Sequence, residues 1–217
     1  MFPVRSRPET SRRVTDVHSG YRAGVPATQS DDILEALKHS AAALRDGGVE
    51  FALSGGLAAW ARGGPPTEHD IDYVVKPVDT EAALAALRKA GMHTEYPPEG
   101  WLAKAWWDGV LIDVINSPMG IEIDDALFER CDELNVAAVR MRVMPLADVL
   151  VGKLLSMSEH NLDFGPPLEW ARALREQIDW RDVAERSCAS PFARAFLTLL
   201  LELDVVATEQ LGSCHDR

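Results

Sequence analysis

Nowhere in this 217-residue chain is there an apolar run long enough to cross a bilayer. A secretory leader is not indicated either, because the first 30 residues are interrupted by Arg5, Arg7, Arg12, Arg13 and Arg22. Both absences lead us to expect a soluble, cytoplasmic protein without a membrane partner. Cysteine is scarce: Cys131, Cys188 and Cys214 are odd in number and far apart, which speaks against a disulfide framework or a CxxC zinc site and suits a reducing compartment. Basic charge is short as well, with 22 Lys and Arg against 34 Asp and Glu and a net charge of -12. The deficit is concentrated in residues 66–136, where 15 acidic residues face 5 basic ones. A polyanion is repelled from such a region unless cations sit there. The excess reads either as a solvated acidic face or as carboxylates gathered for metal.

What is present is enough for a real core, in one domain with an appendage or in two small ones. Residues 1–29, rich in Arg, Ser, Thr and Pro and without period, read as a mobile tail whose removal should leave folding intact. Ser30 reads as an N-cap, with Ile33, Leu34, Leu37, Ala41 and Leu44 at helical spacing behind it. Residues 49–53 form a short apolar strand, Ser54-Gly55-Gly56 a tight turn and 57–62 a short helix. A second strand is expected around 71–75 and a helix over 80–90, closed by Gly91. Asp108-Gly109, between 101–107 and 110–115, is a strong hairpin signal and makes the sheet mixed or antiparallel. Another strand pair is expected within 134–144. Helices follow over 146–158, 168–178, 180–187 and 191–203.

Three acids stand out against this framework. Residues two apart on a strand share a side, so Asp70 and Asp72 project together while Ile71 faces the core. Asp113 lies inside Val110-Leu111-Ile112-Asp113-Val114-Ile115, where an ionised group is costly unless it is paired or bound to metal. Oxygen ligands of this kind suit Mg2+ or Mn2+ rather than zinc. Gly55-Gly56 lets backbone approach a ligand, the following helix aims N–H groups at an anion, and Ser54 adds a hydroxyl. Asp163 and Asp179 are equally well explained as helix caps. The tryptophans Trp101, Trp106 and Trp107 read as core more readily than as a base-stacking surface.

The segments Phe51-Ala52-Leu53-Ser54-Gly55-Gly56, Asp70-Ile71-Asp72-Tyr73-Val74-Val75 and Leu111-Ile112-Asp113-Val114 together resemble the polymerase-beta-type nucleotidyltransferase superfamily. Around Lys153, 158–164 and 174–180 the chain resembles the abortive-infection nucleotidyltransferase toxins of actinobacteria. These resemblances imply an α/β (α+β) fold, with a mixed sheet flanked by helices in a core domain over 30–145 and a helical domain over 146–217. They imply that Asp70, Asp72 and Asp113 hold the metal ions, with Asp113 completing the site beside an acceptor hydroxyl, and that Lys153 reaches the triphosphate. The chain departs from its relatives in carrying Gly56 where many have Ser, and Pro65-Pro66-Thr67 where toxins often have Arg, so Arg62 is a substitute candidate. The implied reaction moves a nucleoside monophosphate from a nucleoside triphosphate to the 3' end of an RNA such as tRNA, as the toxin partner of an antitoxin. Transfer to a small molecule such as an antibiotic, or to a protein side chain, is the alternative. A catalytically silent binding module is a third reading.

Overall fold

A computed structural model describes residues 27–67, 70–98 and 100–212. Most of the expected tail, up to residue 26, lies outside them. The chain follows the order α1 (Ala27–Asp46), β1 (Phe51–Leu53), α2 (Gly55–Ala61), β2 (Asp70–Val75), α3 (Thr80–Lys89), β3 (His93–Glu95), β4 (Leu102–Trp107), β5 (Val110–Ile115) and α4 (Asp125–Glu129). It continues with β6 (Asp132–Val136), β7 (Val139–Val143), α5 (Leu146–Leu155), α6 (Gly165–Leu174), α7 (Trp180–Ser187), α8 (Pro191–Glu202) and α9 (Thr208–Leu211). Helix α1 begins three residues before Ser30, since nothing in Ala27-Thr28-Gln29 opposes a helical backbone. None of the helices is long and apolar enough to cross a membrane, among the described residues.

The strands form one mixed seven-stranded sheet in the order β3-β4-β5-β2-β1-β7-β6. Strand β2 runs antiparallel to β1 but parallel to β5, while β4 and β5 form the antiparallel hairpin that Asp108-Gly109 announces. Both turn residues have positive φ, 46° and 85°, as a two-residue loop matched to strand twist requires. The β6–β7 turn uses the same backbone region at Ala137 and Ala138, where no glycine marks it in the sequence.

Alternation along β2 and β5 assigns the two faces. Ile71, Tyr73, Ile112 and Val114 are buried beneath α1 and α3, and the Tyr73 hydroxyl lies 3.0 Å from Ser40 Oγ and donates to the Leu37 carbonyl. Asp70, Asp72, Val74, Asp113 and Ile115 look the other way, into a cleft walled by α2, α5 and α6. Helix α5 is apolar on nearly every side and carries one fully buried charge, Asp148, only 1% exposed. Asp148 accepts hydrogen bonds from Arg130 Nε and Nη2 at 3.0 and 3.1 Å and pairs with Arg186 at 2.7 Å. The end of α4 and helix α7 are thereby tied to α5. Asp148→Ala leaves two guanidinium groups facing each other without their shared anion, and we expect a loss of about 3–5 kcal/mol. Urea denaturation measures it, and unchanged stability would count against the tie.

Candidate active site

The parallel pairing of β2 with β5 sets Asp72 directly beside Asp113, and Asp70 shares their face two residues earlier. One carboxylate oxygen from each of the three lies within 4.8 Å of the others, so the cluster has the size and the hard oxygen donors for one divalent ion. The same closeness is costly without a cation. Burial pushes the Asp72 carboxyl up to about 8, repulsion from Asp70 and Asp113 adds to the rise, and the charges of Lys153 and Lys104 oppose it. Burial also raises Asp113 above the ordinary carboxylate range, against the hydrogen bond from Lys104.

The glycine turn is built against this cluster. Gly55 adopts φ +59°, and a Cβ there would come 1.8 Å from Asp72 Oδ2, so only glycine lets the backbone pass so close. At Gly56 a Cβ would sit 2.6 Å from Thr67 Oγ1; the missing Ser side chain is thus matched by a threonine hydroxyl from the opposite loop. Ser54 holds the N-cap position in extended geometry without a side-chain capping bond, and it lines the cleft. Helix α2 has seven residues, too short for a developed macrodipole, which leaves the turn's backbone N–H groups and the hydroxyls as the donors available to an anion.

Lys153, in the last turn of α5, lines the cleft with Ser54, Gly55, Gly56 and the three aspartates. Arg62 does not join them: its guanidinium is turned to the carbonyls of Val143 and Met144 and to Asp132, bracing the end of α2 against β7. Asp163 and Asp179 also stay outside. Asp163 accepts from the Gly165 N–H, and Asp179 caps α7 by accepting from the Asp182 N–H. Trp106 lies against His93 and Trp107 against His39, whereas Trp101 is 45% exposed and lines the cleft with the 62% exposed Met119. Lys104 was not singled out by the sequence reading, although the hairpin register makes it legible. Counting outward from Asp108-Gly109 sets Trp107 against Val110 and Lys104 against Asp113. The cleft measures ≈ 570 Å³, room for a nucleotide and part of an acceptor.

Three solved structures illustrate what the fold is similar to. The antibiotic-resistance factor ANT(2'')-Ia is 19% identical, with a TM-score of 0.48 over 79% of this chain and 94% of that one. The lincosamide antibiotic adenylyltransferase LnuA, with lincomycin bound, is 15% identical, with a TM-score of 0.43 over 67% and 94%. A tRNA nucleotidyltransferase complexed with a primer tRNA and an incoming ATP analog is 13% identical, with a TM-score of 0.33 over 80% and 62%. None of the functionally curated proteins is similar enough to match. The family described as "Nucleotidyl transferase of unknown function (DUF2204)" matches residues 33–187, and this chain belongs to it.

Proposed function

We propose that the protein transfers a nucleoside monophosphate from a nucleoside triphosphate to an acceptor hydroxyl, with release of pyrophosphate, using Mg2+ or Mn2+. The observation that carries this reading is the convergence of Asp70, Asp72 and Asp113 within 4.8 Å on one sheet face. When bound, a divalent ion supplies charge neutralisation for the triphosphate and polarises the reacting phosphorus–oxygen bonds. The chain's own groups supply the rest. Asp70, Asp72 and Asp113 hold the ion, Asp113 also faces the acceptor hydroxyl and accepts its proton, and Lys153 and the hydroxyls of Ser54 and Thr67 orient the phosphates. Arg62, Asp163 and Asp179 have structural partners and take no part in this scheme.

On the resemblance to toxins, the acceptor is the 3' end of an RNA such as tRNA, and an antitoxin is the cognate partner. Trp101 offers such an end a face on which its terminal base can stack. A specific observation favours the second reading, a small hydroxyl compound. Lys153 is the one cationic side chain among the described lining residues, and Trp101, Ile115, Met119, Ile121 and Trp170 make much of the remaining wall apolar or aromatic, with little positive charge to hold a phosphate backbone. Each labelled triphosphate, incubated with Mg2+ and either total RNA or an RNA-free metabolite extract, separates the two. Labelled RNA supports the toxin reading and labelled small molecule the other; no labelled product from either pool, nor from total cellular protein, would overturn the proposed reaction.

The pH dependence of metal binding follows from Asp72. Its carboxyl is raised from 3.8 to about 8, so the proton must leave before an ion can bind. Affinity for Mn2+ should therefore rise as pH rises towards 8 and level off above it. In the metal-free protein the sign is reversed. The stability contributed by protonated Asp72 is present at acid pH and is lost as pH rises through about 8. Calorimetric titration with Mn2+ from pH 6 to 9 tests the first statement, and an affinity independent of pH would contradict it.

A further inference from the structure

Among the described residues, the groups facing the carboxylate cluster include one basic side chain placed by the sheet itself rather than by the cleft wall. Lys104 lies opposite Asp113 in the β4–β5 register, and its Nζ donates to Asp113 Oδ1 at 3.2 Å. The pair is neither fully dry nor fully solvated, with side-chain exposures of 31% for Lys104 and 14% for Asp113. Asp70 and Asp72 have no comparable partner: no hydrogen bond or ion pair to either side chain occurs among the described residues. The three carboxyl groups are thus divided into one that is paired by the fold and two that are not.

We propose that Lys104 is a resident counter-cation that competes with the divalent ion for Asp113. The inference rests on the metal-site reading given above. Asp70 and Asp72 would hold the ion first, and Asp113 would become available to it or to an acceptor hydroxyl only when the ammonium group swings aside. A lysine suits this role because its point charge rides on a flexible stem and is readily rehydrated, whereas the planar arginine fork holds a carboxylate in a fixed geometry. The hairpin turn matters as much as the side chain. Asp108 and Gly109, both with positive φ, lock the register that keeps Lys104 on the cluster's face, since a slip of one residue would turn it to the other side.

The test is calorimetric titration of the full chain with Mn2+ alone, comparing wild type with Lys104→Met and Lys104→Gln, whose melting temperatures report that each is folded. Removing the competing charge is expected to tighten Mn2+ binding by about fivefold in both variants. A purely structural brace for the hairpin predicts unchanged or weaker binding in both, and that result overturns the proposal while leaving the metal site intact. Absence of Mn2+ binding in wild type and variants alike overturns the metal-site reading and this inference with it.

Discussion

Asp72→Asn is expected to abolish nucleotidyl transfer, by about a thousandfold or more, while leaving the metal-free protein at least as stable as wild type. The two effects have one cause. Asp72 lies between Asp70 and Asp113, and burial together with their repulsion lifts its carboxyl to about 8. A neutral amide removes a repulsion that the wild type endures until a cation arrives. Because the folded carboxyl keeps its proton up to about 8 while the unfolded one ionises from 3.8, the wild type loses stability across that range, so the advantage of Asn should grow as pH rises from about 5 to about 8 and level off above it. A gain of about 1 kcal/mol would appear as a rise of about 3 °C in melting temperature for a chain of this size. A residue embedded in a satisfied hydrogen-bond network behaves in the opposite way, losing about 1–3 kcal/mol on truncation. Thermal melts with and without Mg2+ separate these outcomes. Retained activity, or destabilisation together with a wild type that does not respond to Mg2+, would refute the assignment of Asp72.

Gly55→Ala should be nearly as damaging although it changes no chemical group. The new methyl would sit 1.8 Å from Asp72 Oδ2 and 2.8 Å from its Cγ, at a backbone φ of +59° that L residues rarely adopt. Either the turn gives way or the carboxylate moves by about an ångström, and misplacement of that size costs on the order of a hundredfold in rate. The backbone strain adds about 1 kcal/mol of instability. Single-turnover assays at saturating Mg2+ read the loss. Activity close to wild type would mean that Asp72 has room to shift without consequence, and that the turn is not shaped around it.

Local chemistry made much of this molecule legible. Alternation of acid and apolar residues in Asp70-Ile71-Asp72 put two carboxylates on one side of β2, and Asp108-Gly109 located a hairpin whose flanking strands are as read. The capping of α7 by Asp179 also followed from a short-range pattern, whereas the hairpin left the sheet mixed or antiparallel and the mixed sheet under its helices was implied by the family resemblance. Weak, brief elements were missed. Strand β3 has three residues and helix α4 five, too few for a periodic signal to rise above local composition.

By itself, then, the sequence determined which residues carry charge, which side of its own strand each one faces, and where the chain must turn, because these depend on backbone geometry over a few residues. Tertiary structure alone decided which strands become neighbours. The parallel pairing of β2 with β5 joins Asp72 to Asp113 across 41 positions of chain, and no short-range rule specifies that register. Packing also turned Arg62 away from the cleft to the carbonyls at the end of β7, carried Lys153 into it on an apolar helix, and buried Asp148 between two arginines. Those outcomes follow from how helices and strands settle to bury apolar area while satisfying each polar group, a condition imposed on the whole fold and not on any one segment.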